Sequence, residues 1–447
     1  MSYRPYVSDH YLPVPDEIEA TDLTISGILP PELNGRYLRN GHNPKPGITP
    51  THWFRGSGML HGVELAGGRA RWYRNRWVRT PALDGAPLVR PDGSVDLTAS
   101  VAGTHIIEHG GRLLALQEAN LPFEVTAGLD TVGPYDFGGK LTSAMTAHPK
   151  QDPVNGNLYF FSYSPFPPYL TYLVADAAGT IVRSEVVEGA GPSLMHDFAI
   201  TETRVVWLDL PVVFDPAETS GIPYRWHDNY PPRIGVMARD GSIEVTWIPV
   251  EPAAVLHTTN AYDGPDGTVV LEGPRYDRAG WETSWKWWVG APGCPDVPVT
   301  GATATRWVLD PARGTAVRTE LDDLSTDFPT INNDRLGRAS AISYHAGFPG
   351  AGLHEYALVK LNTVTGERIV SPAGPGRQPG EAVFVAAEHG RAEDDGWLLT
   401  IVSDLRENAS ELLVLDAHDL SVTASVALPR RVPSGIHGSW IPDSRLG

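Results

Sequence analysis

The sequence predicts an all-β protein, a seven-bladed β-propeller with loop insertions that form a cap. Three observations support this fold: strand-like runs dominate, turn residues are scattered, and a weak repeat recurs. Pro and Gly contribute 40 and 46 of the 447 residues, which is typical of many tight turns between short elements. No segment keeps apolar residues at helical spacing for three turns, so we expect strands rather than helices.

The strand-like runs are short and rich in β-branched, aromatic and leucine residues. Examples are 111–117, 157–163, 204–210 and 397–402. Their length fits strands that are joined by hairpins.

A repeat of about 60 residues supplies the propeller prediction. An apolar run ends in Asp or Asn, a turn follows, and a second run begins. The pattern occurs at 172–176, 234–240, 306–310, 357–362 and 412–416. A glycine typical of hairpin turns follows four of these runs. Dividing 447 residues by this repeat gives about seven units of four strands, the plan of a propeller.

Composition limits the partners and the compartment. A formal net charge of −18 argues against a nucleic-acid partner and against charge-driven binding to anionic membranes. No apolar stretch is long enough to span a bilayer, although peripheral membrane contact stays open. Cys294 is the only cysteine, and residues 1–6 do not resemble a signal peptide. We therefore expect a single cytoplasmic domain over residues 1–447.

Four histidines occupy comparable places in this pattern: His148, His196, His257 and His437. The first three are about one repeat apart, and the fourth follows about three repeats later. In a closed seven-fold ring, three consecutive blades would carry the first three, and His437 would lie two blades from His148. Because the inner strands of a propeller converge on its axis, the four side chains can meet there.

Four converging imidazoles would form a metal site. Imidazole suits iron, copper, zinc and nickel, but catalytic zinc usually takes three protein ligands and structural zinc favours thiolates. Four neutral nitrogens leave open positions on a six-coordinate Fe(II). Such ligands need their other ring nitrogen held, and Glu118, Asp327 and Glu381 are candidates, each beside an apolar β run.

The same residues have a simpler interpretation. The chain contains 15 histidines, and a histidine is more often structural or exposed than a metal ligand. His61, in Gly-Met-Leu-His-Gly, lies in as good a setting as the four chosen. Spacing alone therefore leaves the metal site and a non-catalytic propeller binding module both open.

Motifs along nearly the whole chain resemble the carotenoid cleavage oxygenase family, which includes apocarotenoid oxygenases, retinoid isomerases and lignostilbene dioxygenases. Examples are Leu-Arg-Asn-Gly-His-Asn-Pro, Thr-Ala-His-Pro, Met-His-Asp-Phe and His-Gly-Ser-Trp-Ile-Pro. The motifs lie at 38–44, 52–62, 146–149, 195–198, 257–262, 327–329, 380–385, 393–397 and 437–442. The resemblance implies a seven-bladed propeller whose cap covers one Fe(II) per chain. The implied iron ligands are His148, His196, His257 and His437, while His61 lies in a family motif but not at a ligand position.

The resemblance also assigns the surroundings of the iron. Two of the family's three glutamates that hold the ligands carry over to Glu118 and Glu381. Asp327 stands at the third place and is one methylene shorter than the usual Glu, yet we expect it to contact its histidine directly. Thr104 matches a threonine near the open iron position, and Phe54 matches an aromatic residue at the cavity wall.

The substrate is less well defined. By the resemblance, lignostilbene enzymes carry a Lys just before the first glutamate, where this chain has Gln117. A neutral amide cannot stabilise a phenolate as an ammonium does. Aromatic residues at 281–288 and 166–169 suit a flat conjugated substrate, or else core packing.

The sequence thus predicts an Fe(II)-dependent dioxygenase that cleaves a conjugated C=C bond with O2 to give two carbonyl products. An apolar, apocarotenoid-like polyene is the first choice of substrate, and a stilbene or phenylpropenoid is the second. An O2-independent isomerase of the same family is the enzymatic alternative.

Overall fold

The computed structural model describes residues 4–219, 221–295, 301–350 and 352–446. Over these ranges the chain forms 33 β-strands and one α-helix. The prediction of a seven-bladed propeller built mostly of strands is confirmed. That residues 1–447 form a single domain stays a prediction.

The elements are numbered in chain order. The first strands are β1 (Glu19–Thr21), β2 (Ile25–Gly27), β3 (Gly35–Arg39), β4 (Met59–Ala66), β5 (Arg69–Trp77), β6 (His105–His109), β7 (Arg112–Leu116), β8 (Phe123–Val125), β9 (Thr131–Pro134), β10 (Lys150–Gln151), β11 (Leu158–Tyr163), β12 (Leu170–Ala175), β13 (Ile181–Val186), β14 (Ala199–Ile200), β15 (Arg204–Asp209), β16 (Val212–Phe214) and β17 (Tyr224–Trp226). The later strands are β18 (Arg233–Ala238), β19 (Val245–Pro249), β20 (Asn260–Asp263), β21 (Val269–Tyr276), β22 (Ala302–Asp310), β23 (Thr315–Glu320), β24 (Thr326–Thr330), β25 (Ile342–Gly347), β26 (Ala357–Asn362), β27 (Arg368–Pro372), β28 (Arg377–Pro379), β29 (Val383–Ala386), β30 (Gly396–Asp404), β31 (Ala409–Asp416), β32 (Val422–Ala427) and β33 (Gly438–Pro442). The helix α1 spans Arg278–Trp288, and short 3-10 helices span Pro5–Val7, Asp9–Tyr11, Trp53–Arg55, Pro81–Asp84, Asn333–Arg335 and Asp443–Arg445.

Seven antiparallel sheets form the blades, numbered here in ring order. From the axis outward they are blade 1 (β33-β3-β4-β5-β1), blade 2 (β6-β7-β8-β9), blade 3 (β10-β11-β12-β13), blade 4 (β14-β15-β18-β19), blade 5 (β20-β21-β22-β23), blade 6 (β24-β25-β26-β27) and blade 7 (β28 and β29, then β30-β31-β32-β2). The hairpin β16–β17 stands apart from the blades.

Both ends of the chain close the ring. The C-terminal strand β33 pairs with β3 as the innermost strand of blade 1. The N-terminal strand β2 pairs with β32 as the outermost strand of blade 7. Between these two blades, Tyr37 and Val63 pack against Leu399 and Leu412 without solvent exposure. Burial at this junction therefore depends on segments from opposite ends of the sequence.

The five repeats found in the sequence all fall on the third strand of a blade: β12, β18, β22, β26 and β31. The glycines after four of them have positive φ, as hairpin turns require: Gly179, Gly241, Gly314 and Gly366. Blades 1 and 2 lack the pattern because no Asp or Asn ends the runs on their third strands, β4 and β8: Gly67 follows Ala66 and Thr126 follows Val125.

Helix α1 corrects the expectation that no segment is helical for three turns. Asp277 caps its N-terminus by accepting a hydrogen bond from the Gly280 amide at 2.8 Å. Trp281, Trp287 and Trp288 bury their side chains along the helix. Trp281, Trp285 and Trp288 do keep helical spacing, but the pattern extends over only 11 residues and polar residues fill most of the other positions.

The predicted cap is built from insertions around α1, the β16–β17 hairpin and the N-terminal segment. These parts share one apolar cluster, which includes Tyr6, Tyr11, Trp53, Val212, Tyr224, Trp226, Tyr276, Trp281, Trp287 and Trp288. No helix within the described ranges is long and apolar enough to cross a membrane.

The fold predicts a circular dichroism spectrum that is dominated by strand. Helix content should lie well below the roughly 30–35% of average globular proteins, because α1 contributes only 11 residues. A far-UV spectrum with helix at or above that average would contradict the propeller.

Candidate metal centre

Each of the four predicted histidines lies at the inner end of its blade. They stand just before the innermost strands β10, β14, β20 and β33, respectively for His148, His196, His257 and His437. Blades 3, 4 and 5 thus carry the first three, and blade 1 carries the fourth, as the spacing predicted. All four side chains are buried.

The four imidazoles meet at the axis. One ring nitrogen from each lies within 4.8 Å of the nitrogens of the others. Nε2 of His148 lies 3.0 Å from Nε2 of His196. His437 Nε2 is buried and has no hydrogen-bond partner within the described part of the chain. A set of buried ring nitrogens that face one another at this distance is suited to a cation.

Three carboxylates contact the Nδ1 atoms of three of these rings, on the side that faces away from the axis. Glu118 Oε2 lies 2.5 Å from His196 Nδ1. Asp327 Oδ1 lies 2.7 Å from His257 Nδ1. Glu381 Oε1 lies 2.9 Å from His437 Nδ1. A neutral ring that donates from Nδ1 to a carboxylate carries its lone pair on Nε2, which points to the axis.

The carboxylates come from the blades that supply no histidine. Glu118 follows β7 of blade 2, Asp327 lies in β24 of blade 6, and Glu381 lies between β28 and β29 of blade 7. Every blade therefore contributes one residue to the centre. His148 makes no carboxylate contact among the described residues, and together with His257 and His437 it borders a polar channel.

Asp327 reaches His257 directly, as expected, despite its short side chain. Its Oδ1 also accepts the Phe328 amide at 2.7 Å. Its Oδ2 accepts the hydroxyl of Tyr276. Although burial opposes ionisation, His257 and these donors hold the pKa of Asp327 below its usual value.

The two glutamates each have a second polar neighbour. The Gly438 amide donates to Oε2 of Glu381 at 2.8 Å. The Tyr163 hydroxyl interacts with Glu118, and burial together with that carboxylate raises the Tyr163 pKa well above its usual value. Burial raises the pKa of Glu381 to about 7. Both oxygens of Asp327 and of Glu381 are thus held, and Glu118 has Tyr163 as a second neighbour.

The electrostatics of the rings favour neutral imidazoles at two positions. Burial lowers the pKa of His148 and of His437 well below the usual value, and the neighbouring rings lower both further. Burial also acts against protonation of His196, but the Glu118 carboxylate raises the His196 pKa above its usual value. Uncharged nitrogens are the form that binds a metal.

The donor set fits a first-row metal ion. Imidazole nitrogens bind such ions at about 2.0–2.1 Å, so ligands on opposite sides are about 4.2 Å apart. The nitrogens here lie within 4.8 Å of one another. Small adjustments of the rings would complete the coordination of one ion.

A mostly apolar cavity opens from the cluster toward the cap. The three residues expected at its wall all line it: Phe54, Thr104 and Gln117. Six further aromatic residues line it, namely Tyr11, Trp53, Tyr276, Trp288, Phe328 and Phe348. Thr104 Oγ1 donates to Gln117 Oε1 at 2.8 Å.

The sequence left open whether the aromatic residues at 281–288 and 166–169 line the cavity or pack in the core. Trp288 lines the cavity, whereas Trp281 and Trp287 pack within the cap. Phe166 is 63% exposed and contacts the edge of Phe214, with ring centroids 5.4 Å apart. The run at 281–288 is therefore mostly core packing, and Phe166 is not among the residues that line the cavity.

Sequence reasoning missed the tyrosines that support the carboxylates. Tyr163 ends the strand-like run 157–163 and Tyr276 ends β21, but neither lies in one of the motifs that resemble the family. Their relation to Glu118 and Asp327 depends on the closed ring, so no local signal could reveal it. His61, the competing histidine, instead pairs its Nδ1 with the Tyr73 hydroxyl at 2.9 Å.

Comparison with known proteins identifies the family. Residues 11–442 match the family model RPE65, retinal pigment epithelial membrane protein. A carotenoid cleavage oxygenase of Mycobacterium tuberculosis is 37% identical, over 99% of this chain and 98% of its own. The chain belongs to the RPE65/carotenoid cleavage oxygenase family, as the resemblance implied.

Solved structures agree with this assignment. The lignostilbene dioxygenase of Pseudomonas brassicacearum superposes with a TM-score of 0.86 and 27% identity over 99% of both chains. The cobalt-substituted apocarotenoid oxygenase of Synechocystis has a TM-score of 0.84 and 25% identity over 98% of both chains. Cobalt in the latter indicates that a protein of this fold holds a metal.

The carboxylate contacts predict a specific loss on amide substitution. Glu118→Gln, Glu381→Gln and Asp327→Asn should each weaken divalent-metal binding by about 10–100-fold, because a ligand loses the acceptor that fixes its tautomer. Titration of metal-free protein with Co2+ measures the loss. Glu64→Gln, at a partly exposed ion pair with Arg36, is the control and should bind like wild type. Asp327→Asn with unchanged affinity would contradict the role of that contact.

Proposed function

We propose that the protein is a non-haem Fe(II)-dependent dioxygenase that cleaves a conjugated C=C bond of an apolar, apocarotenoid-like polyene. Both atoms of O2 enter the products, so one alkene and one O2 give two carbonyl compounds. The observation that carries the proposal is the cluster of four buried imidazoles at the floor of an aromatic cavity.

His148, His196, His257 and His437 would hold one iron ion per chain. When bound, ferrous iron would supply the binding and activation of O2. The neutral nitrogens add no negative charge to the site, which favours the ferrous state at rest. Glu118, Asp327 and Glu381 keep the Nδ1 proton in place on three of these rings.

The cavity wall orients the substrate and excludes water. Phe54 and Phe328 offer flat apolar faces to a polyene. Thr104 commits its only hydroxyl proton to Gln117, so it offers no donor to the substrate. Cleavage by O2 needs no general acid or base, and the proposed mechanism assigns none.

Gln117 distinguishes polyene from hydroxystilbene cleavage. The lignostilbene dioxygenase relative shares the fold, which makes an aryl alkene the second candidate class. Gln117, however, supplies no positive charge to a phenolate. An O2-independent isomerisation is the other alternative within the family. A cytoplasmic location, expected from the sequence, stays a proposal.

The iron proposal predicts close to one Fe per chain when the protein is produced with ferrous iron. Ala substitution of His148, His196, His257 or His437 should abolish turnover, because each removes a ligand from a four-nitrogen set. His418→Ala is the control, since that side chain is 75% exposed and lies at the surface. Metal analysis and activity are both measured, and full activity of any one ligand variant would remove that residue from the assignment.

The substrate proposal predicts that apocarotenoids are cleaved with O2 uptake while hydroxystilbenes are poor substrates. Products of a panel that also includes phenylpropenoids are identified by mass. Gln117→Lys should raise the ratio of hydroxystilbene to apocarotenoid cleavage, because an ammonium then faces the cavity. Turnover without O2 uptake would favour the isomerase, and efficient hydroxystilbene cleavage by wild type would favour the aryl alkene class.

A further inference from the structure

The carboxylate of Asp327 is held from three directions within a site that has almost no access to solvent. His257 Nδ1 and the Phe328 amide both donate to Oδ1, each at 2.7 Å. Oδ2 receives the hydroxyl of Tyr276. Because Asp327 is 2% exposed, no bulk water can replace a missing donor.

Tyr276 is itself fixed with respect to the loop of His257. It ends β21 of blade 5, and its backbone exchanges two hydrogen bonds with Ala254, at 2.8 and 3.0 Å. Ala254 lies three residues before His257 in the same loop. The Tyr276 ring packs edge-on against Trp281, with centroids 5.9 Å apart. The hydroxyl therefore has a defined place between the cap and the metal centre.

The backbone of Asp327 is also fixed. Strand β24 pairs with β25, and Asp327 stands opposite Ala346 in that pairing. The carboxylate is consequently confined from both sides: the His257 ring contacts Oδ1, and the Tyr276 hydroxyl contacts Oδ2. A glutamate at 327 would have to place an additional methylene in a space that both contacts already fill.

We propose that Tyr276 is a positioning residue that adapts this metal centre to an aspartate at 327. The hydroxyl occupies the room that a longer glutamate would use and holds the shorter carboxylate against His257. This inference rests on the proposed function, since it concerns the orientation of an iron ligand. Residues 276 and 327 then form a matched pair, and each is suited only to its present partner.

A double-mutant cycle tests the match. The four proteins are wild type, Tyr276→Phe, Asp327→Glu and the double variant, each freed of metal and titrated with Co2+ and with Fe2+ under anaerobic conditions. We expect either single change to weaken binding roughly tenfold, the lower end of the cost of disturbing an outer partner of a ligand. The double variant should recover to within about threefold of wild type, because the lost hydroxyl makes room for the additional methylene.

Recovery in the double variant separates positioning from general structural support. If Tyr276 only stabilised the fold, the two changes would weaken the protein independently and their effects would multiply. Tyr344→Phe is the matched control: it removes a buried hydroxyl, bonded to the Ala417 carbonyl at 3.0 Å, from the blade that carries Asp327. Its metal affinity should equal that of wild type, and thermal unfolding of the metal-free proteins records stability separately.

Each outcome decides the proposal. Weakened single variants with a rescued double variant support it. A Tyr276→Phe protein that binds metal like wild type overturns it, as does a double variant whose loss is the product of the two single losses. Wild-type protein that binds neither Co2+ nor Fe2+ would overturn the proposed iron site and this inference with it. The affinity of the wild type therefore tells the two failures apart.

Discussion

The structure depends on one constraint: four buried histidines must direct ring nitrogens toward the propeller axis. An imidazole buried without a partner for its N–H costs about 1–3 kcal/mol, a large share of a net stability of about 5–15 kcal/mol. Placing Glu118, Asp327 and Glu381 on the Nδ1 sides of three rings meets that cost. The same contacts direct Nε2 toward the axis. The carboxylates that satisfy the buried N–H groups are therefore also the groups that orient the rings for a metal ion.

The histidines and the carboxylates that orient them come from different blades of the ring. Blades 1, 3, 4 and 5 provide histidines, and blades 2, 6 and 7 provide carboxylates. Asp197 adds a link between ligand loops: its Oδ2 accepts from both the amide and the hydroxyl of Thr258, at 2.7 and 2.8 Å. Its Oδ1 pairs with Lys150 at 2.8 Å. Segments next to His148, His196 and His257 are thereby joined, and a change in one loop would be transmitted to the others.

The sequence revealed the features that repeat or that stand in local motifs. The runs ending in Asp176, Asp240, Asp310, Asn362 and Asp416 led to the blade count, because each lies on the third strand of a blade. The spacing of the histidines then placed them on the correct blades, since consecutive blades are consecutive in sequence. Helix α1 is not predicted because its stripe of Trp281, Trp285 and Trp288 lies within only 11 residues and is buried by packing in the cap.

Contacts between residues of different blades could not be predicted from the sequence. Glu118 lies beside His196, two blades away, rather than beside a histidine of a neighbouring blade. Tyr276 approaches Asp327 only when blades 5 and 6 are closed against each other and against the cap. Such pairings depend on the tilt of strands and the length of loops around the whole ring, and no periodicity of the chain encodes them.

The two sides of the axis differ in polarity, and the carboxylates follow that difference. Toward the cap, the cavity is aromatic, and Glu118, Asp327 and Glu381 all line it. The opposite channel is lined by polar and charged residues such as Lys150 and Asp197, and it borders His148 together with His257, His437 and Glu381. His148 does not line the aromatic cavity, and a ring nitrogen at a polar boundary can have its proton accepted by solvent. The carboxylates are therefore placed along the apolar side of the centre, which links the pattern of ligand support to the aromatic character of the cavity.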